Sequence, residues 1–368
     1  MKLFIVRVFV LVIRMLYAPM KLKKTKNKIV WLSRQSDTKS QDMEMLSDAI
    51  SRISPETMQV FRLKKLKDQT GITLTYIFSV FGDMWQLADS CLAICDTYSI
   101  PVSCLKHKKE LKVVQIWHAL GAVKQFGLQS VGKAQGRSAD VARILSMHKN
   151  YDMVIAPSDA AGKFYCKAFG CSEDRITVAS LPRVDVILNA RNRRDEFLMS
   201  NPHCRGKEII VYLPTFRDGD GDAIASLTEA FAKYGDKVLI TKAHPHSAAA
   251  KKTYEGRYST YDLMKLSDAV ITDYSASAFE ASLLDKPLWF FAPDYDKYKR
   301  EQGLNTDIKE IMPHVFFTDA DELTEKISEG SYDLEKLRAF REKFVCVLGT
   351  DNTEKLAIII CSFKETKK

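Results

Sequence analysis

The sequence predicts an α/β protein built from two doubly wound, Rossmann-like halves. Its 368 residues suit two domains of roughly 150 to 200 residues each. Short apolar runs alternate with helical patterns along most of the chain, and the alternation occurs in two successive series. Such alternation predicts parallel sheets with helices on both faces.

In the first series the predicted strands cover 28–33, 58–63, 90–96 and 113–117, with helices over 41–53 and 71–88. The second series has predicted strands over 152–157, 175–180, 208–214, 237–243, 269–273 and 287–293. Its predicted helices cover 159–169, 223–234, 259–267 and 276–285, and helices over 321–329, 332–345 and 351–364 close the chain. A polar stretch with Pro202 and Gly206 separates the halves, so the predicted domains are 28–195 and 196–368.

The formal net charge of +9 is concentrated at the N-terminus. Residues 1–28 contain eight basic residues and no acidic one, which leaves the rest of the chain close to neutral. A nucleic-acid-binding protein would spread its basic residues over a folded face, so nucleic acid is not an expected partner. The eight cysteines are scattered without zinc-site spacing, which predicts reduced thiols in a cytosolic protein.

Residues 1–27 are predicted to form a basic, amphipathic, membrane-binding helix. Arg7 and Arg14 are seven residues apart and share a helical face, and they make a full bilayer span costly. Lysines follow directly, a pattern typical of a helix lying on an anionic membrane surface. The alternative is a core helix packed on its own domain, and no signal-peptide cleavage site follows. The apolar face opposite the arginines is expected to contain Ile5, Phe9, Val12, Ile13 and Leu16.

Two histidines directly follow predicted strands. His118 opens a loop containing Gly121 and Lys124, and His244 follows Lys242 and precedes Pro245. A histidine at a strand end is well placed as a general base. Each could instead be structural, whereas a metal site is disfavoured because no carboxylate or cysteine cluster adjoins them.

Phosphate-binding residues are expected at three further strand ends. Asp273 ends a strand just before a helix that Asp273 or Ser275 could cap, and the hydroxyls of Ser275 and Ser277 would add donors to a pyrophosphate. Arg183 and Arg217 each follow a strand and a proline and present forks suited to phosphate oxygens. The alternatives are a helix cap without a ligand and two salt-bridged arginines.

Together these blocks resemble the CDP-glycerol glycerophosphotransferase family, the teichoic acid primases and polymerases. The resemblance lies in QIWHALGAVKQFG, LPRVD, YLPTFRD, KAHP, DYSASAFEASLLDKPLWFFAPD and YDKYKREQGL, in this order between about residues 90 and 345. The sequence departs from the family pattern at Ala119, Leu120, Val184 and Ala276, which leaves the donor and acceptor open.

The resemblance implies a glycosyltransferase-B type fold, with 28–195 as the acceptor-side domain and 196–368 as the CDP-donor domain. It implies that the enzyme transfers glycerol phosphate or ribitol phosphate from CDP-glycerol or CDP-ribitol to an undecaprenyl-linked glycan at the cytoplasmic face of the bacterial plasma membrane. No metal or other cofactor is expected, and a homo-oligomer stays open. The implied catalytic residues are His118 and His244, the donor-binding residues are Arg183, Arg217, Lys242, Asp273, Ser275, Ser277 and Glu280, and the acceptor-side loop contains Gly121 and Lys124.

Two rival hypotheses remain at this point. One is a sugar-nucleotide-dependent glycosyltransferase of the same fold, in which Glu280 would hold a ribose. The other is a membrane-bound binder of anionic polymers whose histidines are structural.

Overall fold

The computed structural model describes residues 2–65, 74–133, 136–215, 220–242 and 257–366. By internal contacts the chain forms two compact units. The first unit contains 1–120, 125–183 and 346–368, and the second contains 121–124 and 184–345.

A six-stranded parallel sheet forms the centre of the first unit, in the order β2-β1-β3-β4-β5-β6. Since β1 lies between β2 and β3, the chain leaves it towards one side of the sheet and later continues on the other. The carboxyl ends of strands at such a switch point form the usual ligand crevice of an open α/β sheet. The strands are β1 Lys28–Ser33, β2 Met58–Leu63, β3 Leu92–Cys95, β4 Lys112–Gln115, β5 Met153–Ala156 and β6 Ile176–Val178.

Helices of the first unit cover this sheet. Helix α2 begins at a serine cap, where Ser40 accepts from the backbone N–H of Met43, and α6 ends at Gly170 in the left-handed region, as helix C-termini often do. The helices are α1 Lys2–Met20, α2 Gln41–Ile53, α3 Leu74–Leu87, α4 Ile100–Cys104, α5 Ala139–Ile144 and α6 Asp159–Phe169, with α7 Arg183–Asn189 beginning at the last residue of this segment.

The second unit has a five-stranded parallel sheet in the order β11-β10-β9-β7-β8, with its switch point between β7 and β9. Its strands are β7 Glu208–Leu213, β8 Lys237–Thr241, β9 Ala269–Thr272, β10 Leu288–Phe291 and β11 Phe316–Phe317. Its helices are α8 Arg194–Ser200, α9 Asp220–Phe231, α10 Thr260–Leu266, α11 Ser277–Ala281, α12 Tyr295–Glu301, α13 Ile308–Ile311, α14 Ala320–Ser328 and α15 Leu334–Phe344. Two doubly wound parallel-sheet units confirm the predicted fold class.

The C-terminal helix, α16 Asn352–Glu365, belongs to the first unit. It packs along α2, Arg52 forms an ion pair with Glu354, and the Lys112 ammonium donates to the carbonyl oxygens of Phe363 and Thr366. The units therefore depart from the boundaries expected from composition, since 346–368 return to the first unit and 184–195 group with the second.

Helix α1 forms where it was predicted, but its apolar residues are divided between two sides. Val10, Ile13 and Tyr17 are buried on the side that meets α3 and α5. The expectation that Ile13 belongs to the exposed apolar face is therefore wrong. Seven large apolar side chains of α1 stay exposed: Leu3, Phe4, Ile5, Val8, Leu11, Met15 and Leu16. By length and composition this is a helix that could cross a membrane.

Part of the basic N-terminal charge is used inside the first unit. Lys23, Lys26 and Lys28 all approach the Asp89 carboxylate, with Lys28 itself buried. Burial lowers the pKa of Lys28. Lys23 and Lys26, which lie in the segment expected to face a membrane, therefore share one buried carboxylate with Lys28. All eight cysteines are free thiols, and four of them are buried.

Candidate active site

The switch point of the first unit gathers polar side chains from three strand ends. Arg34 follows β1, Asp96 and Tyr98 follow β3, and Trp117 and His118 follow β4. These residues meet because the carboxyl ends of parallel strands lie at one edge of the sheet.

His118 is held in one tautomer. Its Nδ1 lies 2.9 Å from the backbone oxygen of Asp96, and a carbonyl oxygen can only accept, so Nδ1 carries the proton and Nε2 has the lone pair. Burial lowers the pKa of His118 to about 4. The side chain is therefore neutral at physiological pH, the form that can accept a proton.

Trp117 presents this histidine through an unusual backbone conformation. Its φ of 54° lies in the left-handed region, which costs free energy for a bulky residue and clusters at functional sites. The side-chain oxygen of Gln115 accepts from the Trp117 N–H at 2.9 Å, and the indole stacks on Phe126. The hydrogen bond to Gln115 and the stacked rings thus fix the turn that directs His118.

Arg183 is paired inside the first unit. Its backbone N–H and its Nε each donate to the Asp42 carboxylate at 2.8 Å, and the pair is mostly buried. Its positive charge also lowers the pKa of His118, after the larger effect of burial. The structure thus shows the salt-bridged alternative for Arg183, and its expected donor-binding role stays a prediction.

In the second unit, Asp273 is directed into the protein. Its carboxylate is buried and accepts from the Thr215 N–H at 3.0 Å and from the Thr215 hydroxyl at 2.6 Å. These bonds tie the end of β7 to the end of β9 across the switch point of this sheet. Asp273 is consequently a positioning residue here, whereas Ser275, the other residue expected as a possible cap, accepts from a backbone N–H at the start of α11. The expected donor-binding role of Asp273 stays a prediction.

Ser275 and Ser277 lie together at the start of α11. Their hydroxyl oxygens are 2.9 Å apart, and the Ser275 oxygen accepts from the Ser277 N–H at 3.2 Å. Ser275 thus bonds a backbone N–H at this turn, although the residue directly before the helix is Ala276. The phosphate-binding role of both serines stays a prediction.

Two other expected donor-binding residues have partners within the second unit. Glu280 is buried and accepts from the Tyr261 hydroxyl at 3.4 Å. The Lys242 ammonium donates to the backbone oxygen of Tyr258 at 2.9 Å. His244 and Arg217 lie outside the described residues, so their expected roles also stay predictions.

The loop after His118 belongs to the second unit, not to the acceptor-side unit as expected. Lys124 forms an antiparallel bridge with Leu304, and the backbone oxygen of Val123 accepts from the Asn305 N–H at 2.8 Å. A Cβ on Gly121 would lie 2.3 Å from the Phe279 ring. Only a glycine allows this close approach, so Gly121 has a packing role.

Two residues of the first-unit site were not predicted. Asp96 holds the His118 ring, and burial raises the pKa of its carboxyl to about 6. Arg34 reaches the same site from the end of β1. The rule that identified His118, a polar residue just after an apolar strand, would have found both.

Two open parallel sheets, each with polar side chains at the carboxyl ends of its strands, define an α/β enzyme with a fold of the glycosyltransferase-B type. The wall teichoic acid polymerase TagF, in a substituted form, matches with a TM-score of 0.71 at 18% identity, over 99% of this chain and 97% of that one. A UDP complex of Staphylococcus aureus MnaA matches less closely, with a TM-score of 0.58 at 14% identity over 93% and 97%. At these identities the matches show the fold.

Sequence comparison shows the family. A family model for CDP-Glycerol:Poly(glycerophosphate) glycerophosphotransferase matches residues 15–362, and the chain belongs to this family. A teichoic acid ribitol-phosphate primase of Bacillus spizizenii is 32% identical over 308 residues, 78% of this chain and 79% of the relative. A teichoic acid glycerol-phosphate primase of Bacillus subtilis is 27% identical over 276 residues, 71% of each chain. The predicted family and enzyme class are confirmed.

Proposed function

We propose that this enzyme transfers glycerol phosphate or ribitol phosphate from a CDP-linked donor to a hydroxyl of a lipid-linked, teichoic-acid-like acceptor. Family membership supports the chemistry, since the relatives named are primases of both polyol phosphates. A substituted form of the polymerase TagF has also been solved after a soak with CDPG. The single observation of this structure that carries the proposal is the neutral His118, whose Nε2 bears the lone pair at a strand end.

In the proposed reaction the acceptor oxygen attacks the phosphorus that bears the polyol. A bond forms between this oxygen and the phosphorus, the bond from the phosphorus to the CMP oxygen breaks, and CMP leaves with the electron pair. The hydroxyl proton passes to His118 Nε2, and the hydrogen bond from Nδ1 to the Asp96 oxygen keeps the ring oriented while it becomes positive. Negative charge from the donor phosphates then favours the protonated ring.

Donor binding is assigned to the second unit. Ser275 and Ser277 supply neighbouring hydroxyls after β9, and Lys242 follows β8. We assign charge stabilisation on the donor phosphates to these residues together with His244 and Arg217. Positive groups and hydroxyls then serve the purpose that a metal ion has in many phosphoryl transfers.

The location that we propose is the cytoplasmic face of the plasma membrane, with α1 lying on an anionic surface. Seven exposed apolar side chains of α1 support this location, since exposed apolar patches mark interaction sites. A cavity of about 450 Å³ beside the helix is lined by Arg14, Lys21, Lys106 and Lys149, among others. These cations suit anionic headgroups.

Replacing His118 tests the proposed chemistry. A positioned base contributes on the order of 10² to 10⁴ in rate, so His118→Ala should lose that much CMP release from CDP-glycerol and CDP-ribitol. His203→Ala, at an exposed histidine of the second unit, is the matched control and should keep wild-type turnover. Near-normal turnover by His118→Ala, in folded protein, would remove the proposed base.

A further inference from the structure

The first unit contains a cavity of about 270 Å³ at its switch point. Arg34 and Gln35 enter it from the end of β1, Tyr98 from the end of β3, and His118 from the end of β4. Its volume lies just below the range of roughly 300 to 1,000 Å³ that is usual for pockets binding drug-sized ligands. The space therefore suits a small polar group better than a whole nucleotide.

Arg34 lines this cavity with a partly satisfied guanidinium. Its Nη1 donates to the Tyr98 backbone oxygen at 3.2 Å, whereas its Nε is buried without a hydrogen-bond partner. The rings of Tyr76 and Tyr98 lie 5.3 and 5.7 Å from the guanidinium carbon. Burial lowers the pKa of Arg34, and the positive charge of Arg137 adds to this shift. A buried donor without a partner is costly unless a ligand supplies an acceptor.

Arg137 lies on the same cavity. Its guanidinium carbon is 5.5 Å from the Tyr98 ring, so two permanent positive charges are close to one aromatic side chain. Within the part of the chain that the structure describes, neither arginine forms an ion pair, and the cavity lining includes no Asp or Glu. By contrast, Arg62 and Arg194 have carboxylate partners. Two like charges that lack an internal counter-ion call for an external anion.

The loop that completes the cavity is conformationally strained. Ser146, His148 and Asn150 have φ values of 46°, 61° and 72°, which non-glycine residues adopt at a cost and which cluster at ligand sites. His148 lines the cavity, yet burial, together with Arg137 and Arg34, lowers its pKa to about 3. His148 is therefore neutral, and the positive charge of the site comes from the two arginines.

We propose that Arg34 and Arg137 bind a phosphate group of the acceptor, so that the preferred acceptor already ends in a polyol phosphate and is not a bare glycan. The proposal rests on the proposed function and specifies its acceptor. Bidentate bonds from a guanidinium to phosphate oxygens suit this role. The same cavity contains His118, so a phosphate bound there would bring the neighbouring polyol hydroxyl towards Nε2.

Two soluble acceptors that differ in one group test this proposal. Both carry a terminal glycerol with the same attacking hydroxyl, one attached through a phosphodiester and the other through an ether. Wild-type enzyme should prefer the phosphodiester in kcat/KM by roughly ten- to hundredfold, as expected for hydrogen bonds to a charged group. Arg34→Gln and Arg137→Gln should lose most of this preference, Arg34→Lys should keep part of it, and all three should keep the wild-type KM for the CDP-polyol.

The control variant is Arg143→Gln, at an exposed arginine of α5, which should keep the wild-type preference. An equal loss with both acceptors, a raised donor KM, or a wild-type enzyme without preference would overturn the proposal. Calorimetric titration with glycerol 3-phosphate tests the phosphate site independently of the transfer reaction. Arg137→Gln should weaken this binding roughly ten- to hundredfold; equal binding by wild type and variant would refute the phosphate site even if no acceptor released CMP.

Discussion

At the scale of single residues, the tautomer of His118 is set by the hydrogen bond that its Nδ1 makes. The Asp96 oxygen accepts from Nδ1, and this bond leaves Nε2 as the basic atom. Removing the Asp96 side chain would leave that backbone bond in place. The ring orientation therefore depends on the backbone after β3, and a backbone bond of this kind cannot be inferred from residue types.

Two histidines, the half-buried His118 and the buried His148, make the stability of the first unit depend on pH. Burial lowers the pKa of His118 to about 4 and that of His148 to about 3, from an ordinary value of 6.5. The unfolded chain binds protons below its pKa of 6.5 while the folded protein does not, so stability is lost as the pH falls from 6.5 towards these values. Unfolding in urea at about pH 7.5 and about pH 5 should therefore show a lower midpoint at the acid pH. The raised pKa of Asp96 opposes part of this loss, because its carboxyl binds a proton in the folded protein as the pH falls through about 6.

The variant His148→Asn isolates one of the two histidines, because asparagine tolerates a positive φ. Its urea midpoint should fall less between the two pH values than that of the wild type, whereas the exposed control His203→Asn should behave as wild type. An identical fall in His148→Asn would show that His148 does not titrate as described.

The residues of the site could be predicted from the sequence only where they directly follow a predicted strand. An apolar run followed by a polar residue identified His118, and the same rule applied to β1 and β3 would have identified Arg34 and Asp96. Partners were not predictable, because Asp42 and Thr215 are far in sequence from Arg183 and Asp273, with which they bond. Strand alternation gives no information on which distant side chain completes a hydrogen bond.

At the scale of elements, the segment after His118 is held by close packing. Gly121 contacts Phe279, which is buried and stacks on Phe340 with ring centroids 5.5 Å apart. Gly121→Ala should therefore destabilise the protein by about 1–3 kcal/mol, as overpacking in a core does. Urea unfolding measures this loss, and Gly235→Ala, where a Cβ meets no atom within 4 Å, is the control. Equal stability of the two variants would contradict the packing described.

Helix α1 is the element to which the proposed membrane contact is assigned. Met15 is 58% exposed on α1, and Met199 is 67% exposed on α8. Met15→Glu should weaken binding to anionic vesicles roughly tenfold, because it removes buried apolar area and adds a repelled charge. Met199→Glu makes the same change elsewhere and should bind like wild type. Co-sedimentation with vesicles measures the binding of both variants. Undiminished binding of Met15→Glu would refute the proposal that α1 lies on the membrane.

Hydrophobic periodicity predicted α1 but not which of its sides would be buried. The chain presents apolar residues around most of the helix, so the sequence alone could not separate the side that packs on α3 and α5 from the exposed side. The charge pattern was similarly ambiguous, because Asp89, which neutralises Lys28, is distant in sequence.

At the scale of the whole molecule, two parallel sheets follow from the alternation of strands and helices, whereas the composition of each unit does not. Residues 121–124 belong to the second unit and 346–368 to the first. The amino-acid composition of these two segments does not indicate to which unit they belong. The chain thus passes from one unit to the other within three residues of His118. In sequence, the proposed base thus closely precedes a segment that belongs to the second unit.

The central claim is that the enzyme moves a polyol phosphate, and mass analysis of the product tests it most directly. Wild-type enzyme is incubated with the phosphodiester acceptor and, separately, with CDP-glycerol, CDP-ribitol and UDP- or GDP-sugars. We expect the acceptor to gain one glycerol phosphate or ribitol phosphate unit, with CMP released in equal amount and His118→Ala nearly inactive. An acceptor that gained a sugar from a nucleotide sugar, while both CDP-polyols were left intact, would contradict the account.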